Sequence, residues 1–230
     1  RLSFPPSHRA SGIGFRVGFQ KVPGDTPLTD SNFHDAIALW FDAEENATAI
    51  YGHISDWNTS AVTNMSYAFQ DRTGFNEDIS EWDTSFVINM MRMFSGATSF
   101  NQPIGDWNVS SVTNIRGIFN SATSFNQALG NWDVSSVTDM REVFMSNSAF
   151  NQPIGTWDVS SATTMYQMFH QATSFNQPIT DWNVSGVTNM RVMFKTASEF
   201  NQDISDWNIS AVTSMGSMFD DATSLSDANK

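Results

Sequence analysis

Two columns of carboxylates could do chemistry. One lies immediately before a recurring tryptophan: Asp56, Glu81, Asp106, Asp181 and Asp206. The other lies immediately after it: Asp83, Asp133 and Asp158. Where the first column holds Asn131 or Thr156 instead, the second supplies the acid, so every repeat carries a carboxylate and only the second carries two. Carboxylates in rows can ligate a hard cation or attract a basic partner. Calcium takes about six to eight oxygens, so one acid per repeat with an amide beside it suffices only if two repeats share an ion. The densest set, Asp56, Glu81, Asp83 and Asp106, is the expected weak calcium site. Against this stands plain solubility. Like charges on repeats stacked about 4.8 Å apart repel by only roughly 1 kcal/mol in water.

No other constellation points to catalysis. The histidines at 8, 34, 53 and 170 share no ligand spacing, and no nucleophile–base set recurs. No enzymatic activity is expected, and no cofactor beyond calcium. The chain carries 24 acidic and 11 basic side chains, a formal net charge of -13. Nucleic acids and anionic lipids need a basic surface, so neither is an expected partner. Without cysteine there is neither disulfide nor thiolate chemistry. No apolar run is long enough to insert in a membrane.

Whatever positions the acids is periodic. Trp57, Trp82, Trp107, Trp132, Trp157, Trp182 and Trp207 are spaced 25 residues apart. An internal period of this size means stacked supersecondary units. Twelve residues after each tryptophan stands phenylalanine, from Phe69 to Phe219. Methionine stands at the eighth residue except at Ile115, and phenylalanine at the eighteenth except at Leu225. These columns, the tryptophans included, are expected to be core rather than metal or sugar sites. Asn76, Asn101, Asn126, Asn151, Asn176 and Asn201 form a further column, expected to be an internal ladder satisfying backbone groups. The polar–apolar alternation around each tryptophan, as in "DWNVS", predicts a short strand. The following "SxVTxMxxMF" spacing predicts a short helix of two to three turns, short enough to be partly 3₁₀, capped by its serine or by the threonine three residues later.

One strand and one helix in 25 residues is the layout of a leucine-rich repeat. "IGDWNV" (104–109) reads as L-x-x-L-x-L, and "VTNMRVMFKTASEF" (187–200) resembles the second half of the BspA-like bacterial surface-protein repeats. The resemblance spans residues 29–225. It implies an α/β solenoid, a right-handed stack of seven 25-residue coils, serving as an extracellular or cell-surface recognition module. Residues 29–56, with Phe33, Ile37, Trp40 and Phe41 on one helix face, are expected to cap its N-terminal end. Residues 57–225 form the array, and 226–230 a tail too short and polar to cover a coil. Residues 1–22, "PPSHRASGIGFRVGFQ" among them, resemble the closing tail of formylglycine-generating (sulfatase-modifying factor) enzyme domains, with 23–28 as linker. The expected role is adhesion through the acidic strand face. Partners would be a protein or glycan at a cell surface, and the chain a monomeric module of a larger protein. The alternatives are a carbohydrate-recognition module attached to an enzyme and a passive spacer.

Overall fold

A computed structural model describes residues 26–229. Residues 1–22, and with them the resemblance to an enzyme tail, lie outside the described residues. From Trp57 onward the chain forms 25-residue coils whose equivalent residues stack. Each coil is joined to the next by a parallel bridge seven residues after its tryptophan, from Asn64↔Asn89 to Asn189↔Ser214. The two phenylalanine columns are continuous, and tryptophans stack beside them. Trp157 and Trp182 stack at 6.5 Å, Phe169 and Phe194 at 5.4 Å, and within one coil Phe169 lies on Phe175 at 4.0 Å. All seven array tryptophans are buried, and each indole N–H donates to a carbonyl. In coils two to seven that carbonyl lies 28 residues earlier, as in Trp132 Nε1 to Ile104 O at 3.0 Å.

The expected strand and helix are replaced by other structure. Around each tryptophan the chain turns: the Trp107 amide donates to Ile104 O, and the neighbours pair with no other coil as a strand. Among the described residues no helix lies between Trp57 and Leu225. Where the helix was expected, the coil runs as a ribbon of tight turns. Amides eleven, thirteen and fifteen residues after the tryptophan donate three residues back, as in Met168 to Met165, His170 to Gln167 and Ala172 to Phe169. The intervening amides point out of the coil and donate forward: Gln167 to Arg191, Phe169 to Met193 and Gln171 to Lys195. Such alternation requires left-handed backbone. Every coil takes it at two places, the tenth and fourteenth residues after tryptophan, as at Gln167 (φ 58) and Gln171 (φ 60). An α-helix cannot contain these residues, because it repeats one right-handed conformation. The apolar spacing looked helical because i→i−3 turns also bring every third or fourth side chain to one face. The residues at these spacings, Val187, Met190, Met193, Phe194 and Ala197, are all buried.

The remaining columns donate backward. Along the threonine column, Thr163 N binds Thr138 O and Thr188 N binds Thr163 O. Along the asparagine column, Asn126 N binds Asn101 Oδ1 at 2.9 Å, and the adjacent Gln127 amide also reaches Asn101. Here the expected internal ladder is present. Some approaches are too close for a side chain. A Cβ on Gly105 would collide with the Ala128 carbonyl of the next coil.

Both ends are finished differently. At the N-terminal end α1 (Phe33–Asp42) and α2 (Glu44–Tyr51) lie against the first coil. Trp40 meets Trp57 edge-on at 6.1 Å, and Phe41 meets Phe75 at 5.8 Å. His34 Nε2 hydrogen-bonds the Ser66 carbonyl, which has no preceding coil to bind. Asp30 accepts from Thr63 N, Thr63 Oγ1 and Asn64 N, closing the threonine ladder. Burial raises the Asp30 carboxyl, but these bonds outweigh it and leave the group below the ordinary aspartate value.

The C-terminal tail does more than its composition suggested. Ser226 N takes the next rung on Asn201 Oδ1, and Asn229 Nδ2 takes the place of the ladder glutamine. A short polar tail can do this because that ladder asks only for hydrogen-bond donors.

Candidate functional site

The structure gives the two acidic columns different jobs. In the column after tryptophan, each side chain closes a local turn. Asp83 Oδ1 accepts from Ser85 N at 3.0 Å and Ser85 Oγ at 2.6 Å. Asp133 does the same with Ser135, and Asp158 accepts from Ser160 N. Asn58, Asn108, Asn183 and Asn208 accept from their own serines in the same way. One Oδ1 is all the turn needs, so Asp and Asn interchange freely. That corrects the reading of the serine as a helix cap: it is the donor in this turn. The bonds from Ser85 and Ser160 hold the Asp83 and Asp158 carboxyls below the ordinary aspartate range.

The column before tryptophan has little such duty. Glu81, Asp106, Asp181 and Asp206 are exposed, and none forms an ion pair or a side-chain hydrogen bond. Asp56 is exposed too and accepts only from its neighbour Ser55. Its flanking tryptophans are buried, so this row projects outward beside them.

The cations are elsewhere. Between residues 57 and 229 the basic side chains are Arg72, Arg92, Arg116, Arg141, Arg191 and Lys195, and all stand nine to fifteen residues after a tryptophan. That is the turn ribbon, half a coil from the acidic rows. There Arg92 and Arg116 both bind Glu142 at 2.9 Å, Arg141 binds Asp139, and Lys195 approaches Asp220 at 3.7 Å. Arg72 lies over the Phe41 ring. Positive charge on the ribbon is thus largely neutralised in place, and none reaches the acidic rows.

Among the described residues no group of three histidine, aspartate or glutamate side chains gathers closely enough to hold a metal ion. Asp56, Glu81, Asp83 and Asp106 form no such group. Two features escaped the sequence reading. One is the Arg92–Glu142–Arg116 cluster around the buried Glu142: Arg92 and Glu142 share the tenth position after tryptophan, two coils apart, but that column also holds Tyr67, Gly117, Gln167, Val192 and Ser217, so no charge pattern marks it. The other is the Asx turn, for which the Asp/Asn interchange two residues before an invariant serine was an available signal.

With this geometry in hand, the comparisons place the chain in a family. It belongs to the family described as Mycoplasma protein of unknown function, DUF285, whose model matches residues 38–136 and again 126–230. No curated protein and no solved structure matches the chain.

Proposed function

We propose that this chain is a non-enzymatic recognition module of a cell surface, built as a right-handed solenoid of 25-residue coils that docks a basic partner on its acidic face. The observation that carries the reading is the segregation of charge. An exposed row of acids runs along the array without a counter-ion, while every array cation lies on the turn ribbon. Uncompensated charge of one sign speeds encounter with an oppositely charged partner and disfavours like-charged ones. The resemblance to BspA-like surface repeats supports the extracellular setting. The repeated polar groups serve the ladders and turns, which leaves surface rather than chemistry as the repeated product. The carbohydrate reading wants exposed aromatic platforms, whereas the array tryptophans are buried.

A lysine heptapeptide, titrated by fluorescence anisotropy at rising ionic strength, tests the proposal. Binding should weaken with salt, and the variant E81Q/D106N/D181N/D206N should lose about tenfold or more in affinity, since each partly screened pair is worth a few tenths of a kcal/mol or more. Equal affinity of variant and parent would sink the reading.

A further inference from the structure

The repeats are internal controls for one another: whatever the fold needs, every coil must supply. The second coil departs from the others at two exposed positions. Four residues after its tryptophan it holds Phe86, where the other six coils hold Ala61, Ser111, Ser136, Ser161, Gly186 and Ala211. Six residues after, it holds Ile88, where the other six all hold threonine. Phe86 is 65% exposed and Ile88 50%, with the buried Val87 between them.

The fold gains nothing from either. Thr113, Thr163, Thr188 and Thr213 use their hydroxyls to bond the preceding coil's carbonyl, and Thr63 uses its own to bond Asp30. Ile88 forgoes that bond. The stack's end does not account for the exposure. Ile209 and Met215 are exposed because their coil has no described successor, but the second coil has neighbours on both sides. The residues above and below the pair, Ala61, Thr63, Ser111 and Thr113, are small or polar, so nothing among the described residues covers it.

The surroundings say what would. Phe86 follows Ser85, the partner of Asp83, in the one coil that carries acids on both sides of its tryptophan. Asp30, bonded to Thr63, sits one coil back, and Ile88 N donates to that Thr63's carbonyl. Apolar surface exposed among uncompensated acids fits a segment with an apolar anchor flanked by cations. We infer that Phe86 and Ile88 are the anchor point of the acidic face, where a partner protein inserts an apolar side chain flanked by lysine or arginine. This inference rests on the acidic-face reading and adds to it a position and a partner chemistry.

Two peptides separate the claims: the lysine heptapeptide, and the same peptide with its third and fifth residues replaced by tryptophan and leucine. The variant F86S/I88T restores what other coils carry and should fold at least as well as the parent. Its affinity for the tryptophan-containing peptide should fall about tenfold, while that for the all-lysine peptide stays unchanged. The variant E81Q/D106N should weaken both. If F86S/I88T binds the tryptophan-containing peptide as tightly as the parent, the anchor is overturned while the acidic-face reading stands. If neither peptide binds the parent, both fall.

Discussion

Arg92 donates to Glu142 at 2.9 Å although fifty residues separate them, because Gly117 lies in the coil between. Gly117 has a left-handed backbone, φ 61, and a Cβ there would come within 3.2 Å of Arg92 Cγ. Glu142, only 7% exposed, thus receives guanidinium groups from both preceding coils. Removing it in Glu142→Ala leaves two half-buried cations facing each other and should cost about 2–3 kcal/mol, somewhat less than a fully buried pair. Chemical denaturation measures this. Burial alone would raise the Glu142 carboxyl, but the Arg116 and Arg92 hydrogen bonds and charges more than reverse it and hold it below the ordinary value of 4.5. Its contribution is therefore complete above that pH and is lost as pH falls through the lower folded value. A Glu142→Gln variant should show a flatter acid limb than the parent.

The two acid columns should answer mutation differently. Asp133→Asn keeps the acceptor for Ser135 and should change stability by less than about 0.5 kcal/mol. Asp133→Ala removes it and should cost about 1 kcal/mol. Asp106→Ala, which breaks no bond, should match Asp133→Asn. Thermal melts of the three variants check the ordering, and equal losses at Asp133→Ala and Asp106→Ala would contradict the turn assignment.

Trp132 is 3% exposed and its indole is bonded to Ile104 O. Trp132→Ala should destabilise the chain by roughly 3–5 kcal/mol. In the parent, tryptophan emission should be blue-shifted and poorly quenched by iodide. Emission at the wavelength of free indole would contradict the burial.

How much was legible beforehand follows from the same columns. A period of 25 shows in any residue type that every coil must share, so the core and the asparagine ladder could be read directly. Local conformation could not. The left-handed sites hold Tyr67, Arg92, Glu142, Gln167, Val192 and Ser217 in one column and Asp71, Ser121, Ser146, Gln171, Thr196 and Asp221 in the other. Glycine appears in these columns only at Gly96 and Gly117. Neighbouring coils impose the conformation through the forward hydrogen bonds, against local preference, and propensity carries no trace of it.

That conflict predicts a gain. Val192, β-branched at φ 62, sits where the left-handed region is most costly. Val192→Asn should raise stability by about 0.5–1 kcal/mol, asparagine being tolerant of this region. A lowered melting temperature would argue against strain there.

The forward bonds also set where the array opens. In the last described coil the amides of Met215, Ser217, Phe219 and Asp221 have no acceptor among the described residues, whereas Ser226 N is held by Asn201. Hydrogen exchange should be fast at those four amides and slower at Ser226. Comparable protection at all five would contradict the one-way ladder.

Each ladder joins residues at a fixed separation: 24 along the turn ribbon, 25 along threonine and asparagine, 26 from glutamine and 28 from tryptophan. A single inserted residue puts every ladder across it out of phase at once. An insertion of 25 leaves them all intact. Heritable change in the length of such a chain must therefore come in whole-coil quanta, through duplication or loss of 75-nucleotide gene segments. Point mutations remain free to rewrite the outward-facing letters of each copy.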